Sequence, residues 1–169
     1  MAKLAPLVLV VVLAVPACAP LTDLGTHAPL RGVVYQRGSL DCGVAALAML
    51  HRVTYAKVDA LIPDQLLYTQ GGLTDLNLIY YSFLLGQPAI WTKWPADQPD
   101  PPRGFDGILH IAIGDFYHHY VYLTDGVIYD PLGELPESYA RFRVRIGFRF
   151  ISSITLAPPD AVLTTLPTD

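Results

Sequence analysis

Apolar and polar positions along this chain fall into blocks of different period, and they predict helices first and a sheet second. Val33, Val34 and Tyr35 read as a short strand, Gly38 and Ser39 as a loop, and Val44 to Leu50 as an apolar helix running on to about Arg52. Tyr55 to Leu61 predicts a short helical segment that stops before Pro63, and Asp64 to Gly72 predicts a loop. Leu73, Leu76, Ile79, Tyr80 and Phe83 recur at helical spacing within Leu73 to Leu85, so this helix is expected to pack against the first. Trp91 and Trp94 precede a proline-rich connection, Pro95 to Pro102.

The second half has the period of strands. Ile108 to Ile113, Tyr117 to Leu123 and Val127 to Tyr129 predict strands joined by Gly114-Asp115 and Asp125-Gly126, and Asp-Gly between alternating apolar residues is a strong hairpin signal. Arg141 to Phe150 alternates basic and apolar residues apart from Gly147. It predicts a strand with one core face and a row of Arg141, Arg143, Arg145 and Arg149 on the other. The row reads as a solvated face, with anionic phospholipid headgroups as the sharper alternative. Helices followed by an antiparallel sheet give an α+β fold with a cleft between the two parts.

Composition agrees with one compact domain. The 169 residues are 52% hydrophobic and 15% charged, enough for a real core. A net charge of −4 and a pI near 5.6 argue against a nucleic-acid partner. The N-terminus has the form of an export signal, residues 1–17, with Lys3 ahead of the apolar run Leu7 to Val15. That run is shorter than the roughly 20 residues needed to cross a bilayer. It ends in Val15-Pro16-Ala17-Cys18, which resembles a bacterial lipoprotein signal with Cys18 as the lipidated mature N-terminus, although Pro16 departs from the usual pattern. Ordinary signal cleavage after Ala17 or Ala19 is the rival. Residues 18–31 then form a tether, 32–157 the folded domain and 158–169 a tail. The expected location is the cell envelope, on a lipid anchor facing the periplasm or the exterior. Cys18 and Cys42 are the only cysteines. They invite a disulfide in an exported protein, but acylation of Cys18 would leave Cys42 a free thiol.

Candidate chemistry centres on Cys42. It stands where an extended segment turns into the apolar helix, and the positive end of a helix dipole favours the nucleophilic thiolate. Gln36, six positions upstream, offers a side-chain amide to an oxyanion. His119 and Asp130 lie on the hairpin and supply a base and a carboxylate. Each residue alone has a plain structural reading: buried cysteines often serve only packing, and polar residues are common at strand ends. All four together point to a cysteine hydrolase. His110, on a neighbouring strand, competes with His119 as the base, and spacing alone does not choose between them. His51, nine residues after Cys42, falls half a helical rotation away and reads as a surface histidine. His118 and His119 are adjacent on a strand and point to opposite faces, so they are not expected to share a metal ion. No HExxH motif or paired cysteines are present, and neither a metal nor a cofactor is expected.

The Gln36 to Cys42 spacing, Asp41-Cys42-Gly43 and the Ala-rich helix after it resemble the bacteriocin-processing peptidases. These are papain-like cysteine peptidases that cut leader peptides after a double glycine, usually as the N-terminal domain of an export transporter. The match continues in His119-Tyr120-Val121 and Asp130-Pro131, over roughly residues 33 to 132. The resemblance implies a papain-like fold, in which an N-terminal helical subdomain packs on a C-terminal antiparallel sheet. It also implies Cys42 as nucleophile, His119 as base, Asp130 as its orienting partner and Gln36 as oxyanion donor. The expected substrate is a peptide or protein. Because no transporter follows Asp169, the expectation is a standalone peptidase working beside separate export machinery. An amidase or acyl transferase acting on cell-envelope peptides, and an inactive peptide-binding module, are the alternatives.

Overall fold

A computed structural model of the chain describes residues 32–95, 100–133 and 135–158. The signal (1–17), Cys18, the tether (18–31) and the tail beyond Pro158 lie outside the described residues. Within them the order is α1 (Cys42–Leu50), α2 (Tyr55–Asp59), α3 (Asp64–Gln70), α4 (Asp75–Leu84), β1 (Ala89–Lys93), β2 (Gly107–Ile113), β3 (Tyr117–Thr124), β4 (Val127–Tyr129), β5 (Glu137–Ser138), α5 (Tyr139–Ile146) and β6 (Phe148–Leu156). The strands form one antiparallel sheet in the order β1-β6-β2-β3-β4-β5. This is the expected α+β arrangement of a helical part on a sheet. None of the described helices is long and apolar enough to cross a membrane.

Alternation along the central strands divides the core in two. Ile108, Tyr120, Tyr122 and Ile154 join α1, α2 and α4 in one cluster, while Leu109, Ile111, Val121, Leu123 and Ile128 meet Phe142 of α5 in the other. Helix α1 is apolar at every position and is buried from Gly43 to Leu50. Gly43 lets α4 approach, since a Cβ there would stand 3.3 Å from Leu78 Cδ2 and 3.0 Å from the Cβ of Leu73, just ahead of α4. The β3–β4 hairpin turns through Asp125 and Gly126, both at positive φ (50° and 74°), and pairs Thr124 with Val127. That is the two-residue turn Asp-Gly predicts.

Five expectations are corrected. Val33 to Tyr35 is not part of the sheet; its neighbour Gln36 is held by a backbone hydrogen bond, N to Pro131 O, of 3.0 Å. Asp64 to Gln70 is helical, entered through Pro63 and closed by Gly71 at φ 70°. On α4 the buried stripe is Leu78, Tyr81 and Ser82, whereas Leu76 is 64% exposed and Tyr80 and Phe83 are also exposed. This helix carries apolar residues on two faces, and the periodicity selected the outer one. His51 is buried, with Nε2 3.0 Å from Ser82 Oγ, rather than on the surface.

The fifth correction is the arginine row, which is not one strand. Ser138 Oγ caps α5 by accepting from Arg141 N (3.4 Å), and Gly147 ends it at φ 64°. Phe142 and Ile146 stand four apart and share the face turned to the core, while Val144 is 88% exposed. A six-residue alternation fits either period, and the cap and the glycine decide for helix. Strand β6 starts only at Phe148, and its partner β1, at Trp91, was not expected at all.

Candidate active site

Cys42 is the first residue of α1 and is half-buried. The preceding Asp41 occupies the N-cap position but does not cap the helix with its side chain. Instead its Oδ2 accepts from Gly38 N (2.8 Å), Arg37 N (3.1 Å) and the Tyr55 hydroxyl (2.6 Å). The Arg37 guanidinium lies over the Tyr55 ring at 4.5 Å. Burial, then the Asp41 hydrogen bond and charge, push the Tyr55 hydroxyl well above its ordinary pKa, so it remains a donor. Asp41 therefore ties the loop before the cysteine to α2 and leaves the first-turn N–H groups of α1 without a side-chain cap.

His119 is buried on β3 and lies with Nε2 2.7 Å from Asp130 Oδ1. Asp130 follows β4 directly. Because Tyr129 pairs with Tyr122, Asp130 falls diagonally across from His119, within reach of a side-chain contact. The same Oδ1 accepts from Leu132 N at 2.9 Å, which fixes the carboxylate in the turn. Asp130 occupies Nε2, so Nδ1 is the nitrogen left for Cys42. Nδ1 is buried and has no hydrogen bond of ordinary geometry. Cys42 is nevertheless close enough to act on the ring. Burial alone would lower the His119 pKa, but the Asp130 hydrogen bond, then the hydrogen bonding and charge of Cys42, raise it to about 9. Tyr117, half-exposed, stacks on the His119 ring at 5.9 Å and feels the charge of both Cys42 and Asp130.

Gln36 is placed beside Pro131, next to Asp130, by its backbone bond. Its Nε2 donates to Gly38 O at 2.7 Å, which uses one of its two N–H bonds and leaves the second. Its Oε1 is buried without a partner.

His110 belongs to a different group. Its Nδ1 lies 3.0 Å from Asp75 Oδ1, and its Nε2 lies 3.0 Å from His118 Nδ1. Asp75 opens α4 and also accepts from the Tyr120 hydroxyl (2.7 Å), Ser152 Oγ (2.6 Å) and Trp91 Nε1 (2.8 Å). Burial would raise its pKa, yet these hydrogen bonds and His110 hold it well below the usual carboxylate range. His118 and His119, adjacent on β3, thus take separate partners. No group of three or more His, Cys, Asp or Glu among the described residues is arranged to hold a metal ion.

His119 and His110, which spacing left level, each have a carboxylate partner, Asp130 and Asp75 respectively. The Asp75 group and the Asp41–Tyr55 brace were not legible. An aspartate just before a helix signals a cap, and this one is used backwards.

No protein-family model matches the chain, and no curated protein matches it. Among solved structures, one similar chain is a double glycine motif protease from an AMS/PCAT transporter, in complex with the leader peptide. It is 20% identical, with a TM-score of 0.49, covering 76% of this chain and 96% of that one. Another is the peptidase domain of Streptococcus mutans ComA, 24% identical, with a TM-score of 0.48, covering 75% of this chain and 98% of that one.

Proposed function

We propose that the chain is a papain-like cysteine peptidase with Cys42 as nucleophile. The observation that carries the reading is the buried His119–Asp130 pair, whose imidazole is left with one unpaired nitrogen and is raised to about 9 with help from Cys42. His119 takes the Cys42 proton, and the thiolate attacks a peptide carbonyl. The Gln36 side-chain N–H left over from Gly38 and the Cys42 backbone N–H, at the uncapped start of α1, hold the oxyanion. The imidazolium then protonates the leaving amine, and the thioester is hydrolysed by water that His119 deprotonates. Asp130 orients the ring and supports its charge. The substrate class is a peptide or protein, with leader peptides suggested by the motif around Cys42. Leu7 to Cys18 supports export and a lipid anchor at Cys18.

An activated ester, acetyl-Gly-Gly p-nitrophenyl ester, tests the nucleophile. Denaturing mass spectrometry should find one acyl group on the Cys42 peptide of the wild type and none in Cys42→Ala. Acylation should be strongly slowed in His119→Ala and about a hundredfold to a thousandfold slower in Gln36→Ala. Acylation elsewhere, or an unchanged rate in His119→Ala, would overturn the assignment.

A further inference from the structure

On the sheet face that carries Tyr120, His110, His118 and Arg149 form a corner that the peptidase reading does not use. Ala112 on β2 pairs with His118 on β3 and with Arg149 on β6, so all three residues share one face of the sheet. His110, two residues before Ala112, lies on that face too, and its ring contacts His118 and Tyr120 at 5.2 and 4.6 Å. Ala112 is a small, buried floor, while His118 and Arg149 are exposed beside it. Arg141, Arg143 and Arg145 pair with Glu137, Asp100 and Glu137, respectively. Arg149 makes no ion pair or hydrogen bond among the described residues. In a chain of net charge −4, an unpaired arginine next to two histidines is a place for an anion. Cys42 packs against the buried cluster that contains Tyr120, and Tyr120 shares its face of β3 with His118, two residues before it.

We propose that His118 and Arg149, backed by His110 and Asp75, form a subsite for a carboxylate of the peptide substrate next to the bond that is cut. This rests on the peptidase reading for the identity of the ligand, and on the sheet register for the site.

The histidine pair sets the pH at which the subsite works. Asp75 takes the N–H of His110 Nδ1. With His110 neutral, its Nε2 is a lone pair that accepts from His118 Nδ1, and the outer His118 Nε2 is then a lone pair too. One proton added to the pair lets His110 Nε2 donate to His118 Nδ1 and turns His118 Nε2 into an outward donor. Carboxylate binding therefore takes up a proton and strengthens as pH falls through the imidazole range. The groups facing the pair are Asp75 from α4, Tyr120 from β3, Arg149 from β6 and, through Tyr120, Cys42 from α1. Burial, then the charges of His110 and Arg149, hold the His118 pKa below its ordinary value against the pull of Asp75. A bound carboxylate should raise it.

The test uses the full chain and four small probes, followed through the imidazole NMR signals of His118 and His110. The probes are acetyl-Glu methylamide, acetyl-Gln methylamide, acetyl-Gly-Gly acid and acetyl-Gly-Gly amide. At pH 6 at least one acid should shift the His118 signals saturably and raise its titration midpoint, while its amide should not. Binding should weaken from pH 6 to 8. Arg149→Gln should weaken it about tenfold, and Arg145→Gln should leave it unchanged. A response to the Glu derivative assigns the subsite to an acidic side chain, and a response to the Gly-Gly acid assigns it to a chain end. Equal shifts from acid and amide, no shift from any probe, or an unaltered response in Arg149→Gln would overturn the proposal. Alkylation of Cys42 in the same samples reports on the peptidase reading separately. An inert Cys42 with an intact His118 response removes the peptidase reading and leaves the anion subsite standing.

Discussion

Asp130 does two things for His119 that a neutral residue does only in part: it holds Nε2 at 2.7 Å, and it supports the charged ring. In Asp130→Asn the imidazole should therefore titrate at least about one unit lower than the value near 9 in the wild type, as followed by NMR of the ring protons. Stability should follow with a definite sign. His119 is raised above its unfolded value of about 6.5, so its contribution is complete below that pH and is lost as pH rises through about 9. Urea denaturation should show wild-type stability falling across that window, with a flatter profile in Asp130→Asn. A parallel profile in both proteins would mean the pair is not the source. At this scale the sequence was informative. Cys42, His119 and Asp130 carry recognisable chemistry and local turn signals, whereas Tyr55 and Leu132 act through a hydroxyl and a backbone N–H that no sequence pattern marks.

Short elements place these residues, and each is held by a contact between segments distant in the chain. The loop before Cys42 has no secondary structure of its own; Asp41 secures it to Tyr55, and the Gln36 backbone bond secures it to Pro131. Tyr55→Phe should keep the ring under Arg37 but leave the Asp41 carboxylate short of one donor. The expected cost is about 1–3 kcal/mol of stability by thermal unfolding. Turnover should also fall, because Gln36 and Cys42 are then held less firmly. Unchanged turnover in a destabilised Tyr55→Phe would make the brace structural only. Elements with one dominant signal are legible in the sequence, such as α1 by its apolar run and the β3–β4 hairpin by Asp125-Gly126. Those with two compatible signals are not. Arg141 to Ile146 fits either period until Ser138 and Gly147 are weighed, and α4 has two apolar stripes whose choice depends on where the sheet lies.

For the molecule as a whole, Asp75 is the joint between helices and sheet. One carboxylate on α4 receives Trp91 from β1, His110 from β2, Tyr120 from β3 and Ser152 from β6. Such an assembly is invisible in the sequence, since its members are spread over 78 positions, from 75 to 152, and only the sheet order brings them together. Asp75→Asn should cost about 3 kcal/mol, because the donors around it lose a charged acceptor. Its pKa is depressed, so its contribution is present above the ordinary value near 3.8 and disappears as pH falls through the lower folded value. Acid unfolding monitored by near-ultraviolet circular dichroism should thus begin at higher pH in Asp75→Asn. An unshifted acid transition would mean that the network adds nothing to the joint.

The central claim, that His119 activates Cys42, is tested most directly by the rate at which iodoacetamide alkylates the folded protein between pH 5 and pH 9. The imidazolium persists to about pH 9, so the wild type should react at mildly acidic pH much faster than a cysteine in an unstructured peptide. In His119→Ala that acidic reactivity should disappear. A wild-type profile that follows the free peptide cysteine, or that is the same in His119→Ala, would contradict the account.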